Sequence, residues 1–481
     1  MNRDTSDRVP PVECGDAKLE VESDSGRLLD ARGRRVVMRG INTGGRSKWR
    51  PFLPFPVPAS PSPEEVERRA RPFFERVVEW GLDTVRLPFS WEALEPVRGE
   101  YDEAYRRRYR AMVDAAWSLG LRVIVDFHQD VFAAPFCGDG FPHWAVRQDR
   151  RAPARRDHQG WFTQYVFDRD VREAFERFWN DEDGLREAFV RMWTSMAEAF
   201  GDHPGVVGFE PMNEPGWGET WDVERWKRET LAPFYEEIHS VLRRAAPDAL
   251  VFYTPPGIDA LYPREAYDPP PPGEGAVFAP HIYDDGLVRG GGWSRRPPEP
   301  ALADFAEFRS THGTPVLLGE FGVQHGAEGG TEWLRRVADA LDQHRLSATL
   351  WEYSDSHEQW NDEDLNVIDR NGQMRPALEA YARPWLRAVA GDHDDFQWLP
   401  DRSLARAEWL STGGVSEIRI PDRLGPPRNV EVAGRGTRHT WDAERGELRI
   451  YAPDDALVDV EFSLDPNRSR GDDRDWAAKA Q

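Results

Sequence analysis

The stretch EAYRRRYRAMVDAAWSLGLRVIVDFHQD, residues 103–130, holds one complete unit of the fold. Its first part reads as an amphipathic helix that stops at Gly120. RVIVDFHQD (122–130) follows as a short apolar strand with polar residues at its end. The same alternation runs outward in both directions. Upstream, the helix PEEVERRARPFFERVVEWG ends at Gly81 and precedes DTVRLPF (83–89). Before that, RLLDARGRRVVMRGIN (27–42) reads as a hairpin around Ala31–Gly33 and then a first strand. PFLPFPVPASPSP (51–63) is too rich in proline for helix or sheet. Downstream, LREAFVRMWTSMAEAFG precedes GVVGFEPMNE (205–214), and APFYEEIHSVLRRAAP precedes ALVFYTP (249–255). AVFAPHIYD (276–284), TPVLLGEFG (314–322) and SATLWEYSD (347–355) complete eight strand candidates.

Short apolar strands alternating with amphipathic helices form a parallel sheet. Eight such units over about 350 residues predict an α/β fold, a (β/α)8 TIM barrel. A doubly wound open sheet is the alternative, but no G-x-G-x-x-G turn follows a strand. From about residue 388 the pattern becomes EIRI, NVEVAG, GELRIYAP and LVDVEFSL, alternating with no helix between. That predicts a C-terminal antiparallel β-sandwich. The expected organisation is a flexible N-terminus (1–17), a barrel (18–387), a sandwich (388–465) and a disordered tail (466–481).

Composition bounds the function. The 481 residues carry 39% hydrophobic and 12% aromatic residues, which is globular. Twenty Trp suit a sugar-stacking groove, although most Trp in any protein is core or its rim. A net charge of −23 argues against a nucleic-acid partner, since that binding rests on Lys and Arg meeting phosphates. Only Lys18, Lys48, Lys227 and Lys479 are lysines among 62 basic residues, which fits either a GC-rich genome or a salty cytoplasm. Cys14 and Cys137 make neither a disulfide framework nor a metal cluster. The first sixteen residues contain no apolar signal-peptide core, and no run of about 18 apolar residues spans a membrane. The expected location is the cytoplasm, with no obligate protein partner.

Catalytic groups of a barrel sit at the C-terminal ends of its strands. There the sequence places Arg86, His128, Asp130, Asn213, Glu214, His281, Tyr283, Glu320, Trp351 and Glu352. Glu214 ends the fourth strand and Glu320 the seventh, and those ends face each other across the mouth. A pair of carboxyl groups is what glycoside hydrolysis needs, about 5–5.5 Å apart for retention and about 6.5–9.5 Å for inversion. Ordinary buried carboxylates paired with Arg remain the other reading. Glu210, inside the strand, is expected to brace the barrel, and alternation should turn Glu352 away from any sugar.

Asn213-Glu214-Pro215 and Glu320-Phe321-Gly322 resemble the retaining β-glycosidases built on this barrel, and glycoside hydrolase family 5, the cellulase family, fits best. RGIN (39–42), VRLPFSWEALEPVRGEYD (85–102) and HIY (281–283) are similar to that family's pattern. DFHQDVF (126–132), GDGFPHWA (138–145) and WNDEDLNV (360–367) look like its endoglycoceramidase and steryl-β-glucosidase branch. The resemblance spans about residues 18–465. It implies a hydrolase needing no cofactor or metal, with Glu214 as general acid/base and Glu320 as nucleophile. The charge of Glu320 would hold Glu214 protonated. Arg86 would orient Glu320, or else tie strands together inside the barrel. Tyr283 would hydrogen-bond Glu320, Asn213 the sugar 2-hydroxyl, and His128 and Asp130 the 3- and 4-hydroxyls. Trp351 would form the floor, and His281 would line the pocket or brace it.

The implied substrate is a β-glycoside or glycolipid, sugar–ceramide or sugar–sterol, with transient membrane-surface contact. A β-glucosidase acting on soluble glycosides, or an endoglucanase, is the alternative. A metal hydrolase using His128, Asp130 and His281 fits poorly, because the first strand ends in RGINTGG without His-x-His. A non-catalytic sugar-binding protein would not need both glutamates. Trp409 and Trp441 could make the sandwich a carbohydrate-binding module, but packing on the barrel is the simpler expectation. The aromatic insertions GWFTQYVF (160–167) and FERFWN (175–180), and the Pro-Phe segment after the first strand, suit either lips for an apolar aglycone or a self-packed lid.

Overall fold

The computed structural model describes residues 17–147, 161–261, 270–355 and 363–465. The expected loose N-terminus up to residue 16 with Cys14, the tail from 466, residue 160 of the aromatic insertion and residues 360–362 of WNDEDLNV lie outside the described residues.

Eight strands form the barrel: β1 (Arg39–Asn42), β2 (Thr84–Phe89), β3 (Arg122–Phe127), β4 (Val206–Glu210), β5 (Leu250–Tyr253), β6 (Ala276–Phe278), β7 (Leu317–Leu318) and β8 (Ser347–Leu350). They are parallel and run β7-β8-β1-β2-β3-β4-β5-β6 around the ring. Parallel bridges Phe278–Val316 and His281–Glu320 close it. Several strands stop earlier than the sequence pattern suggests. β4 ends at Glu210, because Pro211 has no N–H for the ladder. The remaining residues to Glu214 form a loop over the mouth.

Local signals set the outer helices. α1 (Pro63–Glu79) starts with the Ser62 side chain accepting from the Glu65 N–H and with proline in its first turn. α2 (Glu103–Ser118) is capped by Asp102 and buries Tyr105, Tyr109, Met112, Val113 and Ala116 on one face. Gly81 and Gly120, both at positive φ, let the chain turn from helix into strand. α3 (Leu185–Phe200), α4 (Ala232–Ala245), α5 (Glu299–His312) and α6 (Gly330–His344) continue the ring. Among the described residues, no helix is long and apolar enough to cross a membrane.

The C-terminal unit is one continuous antiparallel sheet folded on itself. Its strands are β9 (Trp385–Val389), β10 (Gly391–Leu399), β11 (Leu404–Arg419), β12 (Arg428–Ala433), β13 (Arg438–Asp442) and β14 (Glu447–Ser463). β11 and β14 pair from end to end, with a register shift near Thr412. β10 and β12 extend one half of that pair, and β9 and β13 the other. Both halves contribute to one core containing Phe396, Trp409, Ile418, Ile450 and Val458. Trp409 therefore packs within the sandwich and not against the barrel.

The N-terminal hairpin (Arg27–Leu29 with Arg35–Val36) joins this same sheet through β9. Its Leu28 and Val36, with Leu19 and Met38, pack against Ile124, Val207, Phe252, Val277 and Leu317 inside the barrel. They plug the barrel floor. Around that plug, Asp83 meets Arg122 (2.6 Å) and Arg387 (3.0 Å), and Glu417 meets Arg387 (2.7 Å) and Arg34 (2.9 Å). Asp342 meets Arg39 and Arg383, and Asp394 meets Arg27 and Arg345. The indole of Trp385, not Trp409, reaches the barrel, donating to Gly81 O at 3.0 Å.

Candidate active site

At the opposite end, one guanidinium organises the mouth. Arg86 projects inward from β2 and donates to Glu210 twice (2.7 and 2.6 Å), Glu320 (2.6 Å), Asn42 (2.9 Å) and Asn213 (2.8 Å). Asp126 lies 3.2 Å away. A planar fork of five N–H groups suits this convergence, where an ammonium would not. Both sequence readings of Arg86 thus hold together: it ties strands and it touches Glu320. Glu210 is fully buried and also accepts from Thr254 (2.8 Å), as a brace should.

Glu214 and Glu320 meet across the mouth. His281 Nδ1 is 2.7 Å from Glu214 Oε1 and 3.6 Å from Glu320 Oε2. One oxygen of each glutamate and a His281 nitrogen lie within 4.8 Å of one another. Tyr283 donates to Glu320 Oε2 at 2.9 Å. Burial pushes the Glu214 carboxyl up; the hydrogen bond from His281 opposes this, and the charge of Glu320 adds to it. Desolvation, more than the neighbouring charge invoked from sequence, is the first cause. His281 is raised too, because Glu320 and Glu214 outweigh its burial.

The loop that presents Glu214 is strained and held. Glu214 has φ 39°, a left-handed conformation uncommon for a side-chain-bearing residue. Gln129 Nε2 pins it by donating to Asn213 O (2.7 Å) and Glu214 O (2.9 Å). Asn213 in turn donates to Gln129 O (3.1 Å). A Cβ at Gly257 would sit 2.5 Å from Glu214 Oε2 and would push the carboxyl aside.

The rest of the predicted set gathers nearby. His128 Nδ1 lies 2.9 Å from Asp126. Burial lowers its pKa, but Asp126 and Asp130 overcome this and push it up to about 10. Its ring stacks on Trp351 at 5.1 Å. Asp130 is paired with Lys48 at 2.5 Å, and Lys48 also sits 4.6 Å over the Trp351 ring. Glu352 points away from the cavity toward Gly45 and Ser354. Burial pushes it up to about 8.

Sequence reasoning missed Asp126, Gln129, Lys48 and Glu363. Asp126 stands two residues before His128, so strand alternation puts both inward. Lys48 carried a compositional signal: in a chain that uses arginine for nearly every cation, a lysine just after the first strand stands out. Glu363 follows β8 and shares the cavity with Glu320.

The cavity holds about 670 Å3. Its lining joins the polar side chains of Lys48, Asp130, Glu214, Glu320 and Glu363 to the apolar ones of Trp161, Phe162, Val166, Phe167, Trp217 and Leu261, with Trp161 beside Lys48. The aromatic insertions divide. Phe55, Phe175, Phe178 and Trp179 are buried in the barrel's own packing, whereas Phe167 is 79% exposed at the rim.

The chain belongs to glycosyl hydrolase family 5, whose cellulase model matches residues 29–357. An endoglycoceramidase of Cyanea nozakii is 27% identical over 298 residues, covering 55% of this chain and 57% of the relative. The chain thus spans little more than half the length of the curated relatives it matches first. The solved structure of endo-glycoceramidase II from Rhodococcus sp., in complex with ganglioside GM3, superposes with a TM-score of 0.73 at 24% identity, over 91% of this chain and 99% of that one. Cryptococcus neoformans sterylglucosidase 1 superposes with a TM-score of 0.72 at 16% identity, over 94% and 98%. The shared architecture is the barrel with its C-terminal β-sheet unit.

Proposed function

We propose that the protein is a retaining β-glycosidase that cleaves a sugar from an apolar aglycone of the ceramide or sterol kind. The observation that carries this reading is a close carboxylate pair in a cavity lined by both polar and aromatic side chains. Two carboxyl groups at such a separation leave no room for the attacking water that inversion places between the basic carboxylate and the sugar. A cation held by Glu214, His281 and Glu320 is disfavoured by charge, because the Arg86 guanidinium already contacts Glu320 at 2.6 Å.

Arg86 and Tyr283 hold Glu320 for attack on the anomeric carbon. Glu214, whose carboxyl burial shifts toward the protonated form, gives its proton to the departing aglycone oxygen. The glycosidic C–O bond breaks and a glycosyl ester to Glu320 forms. Glu214, now a carboxylate, removes a proton from water, which attacks the anomeric carbon, breaks its bond to the Glu320 oxygen and releases the sugar and the Glu320 carboxylate. Asn213 has an amide hydrogen directed to the 2-hydroxyl, and His128 and Asp130 bind the 3- and 4-hydroxyls. Phe167 and its neighbours receive the apolar aglycone and meet a lipid surface transiently.

A fluorescent glycosylceramide and a soluble aryl β-glucoside, each with wild type, Glu214→Gln and Glu320→Gln, test the reading. Preferential cleavage of the lipid, lost in both variants, supports it. Preference for the aryl glucoside removes the lipid half of the proposal. Wild-type rates in both variants remove the catalytic pair.

A further inference from the structure

Part of the cavity is lined by charged and aromatic side chains that touch one another. Lys48 is buried, paired to Asp130 at 2.5 Å, and lies between two indoles, 4.6 Å from Trp351 and 5.9 Å from Trp161. His128 is buried against the same Trp351, and its Nε2 faces Asp130 at 3.4 Å. Glu363 lines this part and accepts a hydrogen bond from the Trp351 side chain, with Lys48 and Asp130 as its charged neighbours. Among the described residues, the side chains beyond the catalytic pair thus interlock through ion pairing and ring contacts.

Such a set is complementary to the far edge of one neutral hexose. Each sugar hydroxyl both donates and accepts, and the set offers donors (Lys48, His128) beside acceptors (Asp130, Glu363). Burial pushes Glu363 up to about 7, so its carboxyl both accepts and donates near neutral pH.

Resting on the glycosidase reading above, we infer that Glu363, with the Lys48–Asp130 pair and Trp161, closes the sugar site around one unsubstituted hexose, so that the enzyme removes a single terminal sugar and rejects longer glycones. Glu363 is the specificity-determining residue. A second sugar on the far hydroxyls would have to separate Lys48 from Asp130 in a dry site, a costly change. The enzyme would then act after other glycosidases have trimmed a longer glycan to its last sugar.

The test compares 4-methylumbelliferyl β-glucoside and β-galactoside with the β-lactoside. Wild type should cleave at least one monosaccharide substrate 100-fold or more better in kcat/KM than the lactoside, with a single hexose as the only sugar product. Glu363→Gln should raise KM for that monosaccharide about tenfold while kcat and melting temperature move little. The paired variant Trp161→Ala should narrow the monosaccharide-to-lactoside ratio at least tenfold. Release of intact lactose by wild type at a rate comparable to glucose or galactose overturns the closed site. Unchanged KM and unchanged ratio in both variants overturn the roles of Glu363 and Trp161. If no glycoside is cleaved, the catalytic reading fails, and tryptophan fluorescence still decides the closed site. Binding of glucose or galactose without lactose upholds it; equal binding, or none, overturns it.

Discussion

The barrel carries buried charge at both ends, and the two ends are arranged differently. At the floor each carboxylate has two arginines: Asp83, Asp342, Asp394 and Glu417 are all doubly paired. At the mouth the ratio is inverted. Arg86 serves Asp126, Glu210 and Glu320, and Lys48 faces Asp130, Asp139 and Glu363. The pKa directions follow. For Glu417, burial is outweighed by Arg387 and Arg34, and its carboxyl falls to about 2. Burial wins at Glu352 and Asp139, both pushed up to about 8, and at Glu214. Matched charge makes a permanent joint; under-compensated carboxylates stay poised to exchange protons.

The largest break in this contrast is Glu320→Gln, expected to lower kcat by on the order of 10^4-fold or more. Circular-dichroism melting of the same variant should stay near wild type, because the floor is untouched. Glu214→Gln should cost about 10^2–10^4-fold, and more on an alkyl glycoside than on an aryl glycoside whose leaving group needs no proton. In wild type, kcat/KM should decline as pH rises through the raised Glu214 pKa, where the acid is lost. A rate that stays flat well into alkaline pH would remove Glu214 as the acid.

At the floor the effect reverses. Arg387→Met strands Asp83 and Glu417 beside one arginine each and should cost roughly 3 kcal/mol of stability. The kcat of the remaining folded enzyme should not change; a fall in kcat with stability intact would contradict the division of labour. Chemical denaturation against pH sharpens it further. The depressed Glu417 contributes stability that is complete above its ordinary 4.5 and lost as pH falls through about 2. That amounts to at most about 3 kcal/mol. The raised Glu352 contributes stability that is complete below 4.5 and gone once pH passes about 8. Glu352→Gln should therefore flatten only the alkaline limb, gaining roughly 2–4 °C in melting temperature at pH 8. An equal gain at pH 5 would show that burial of the charge is not its cause.

The fold was legible because helix stops at Gly81 and Gly120 and apolar strands recur through the chain. The carboxylate pair was legible because each glutamate follows a strand body that is otherwise apolar. What stayed hidden depended on angles between elements. No spacing indicates that Arg86 from β2 also reaches Glu210 and Asn213, or that Lys48 doubles back onto Asp130 and Trp351. The sandwich was visible as alternation, but not its use of the N-terminal hairpin, because Val36 and Ala388 pair only once the barrel has closed between them. Trp409 was misplaced for a similar reason: alternation says that it is buried, not in which of two cores.

That hairpin also bears on how the protein is made. Arg27 and its partner Asp394 are 367 residues apart, so the floor is assembled from the first and the last parts of the chain. Such contacts form late and slowly. A chain still on the ribosome, with the barrel emerged but β9 not yet synthesised, keeps Leu28 and Val36 beside an unfinished sheet edge. Synthesis stopped short of β9 gives a product with that edge exposed, a ready substrate for chaperones and proteases. The floor is therefore completed only when β9 is present to pair with the hairpin.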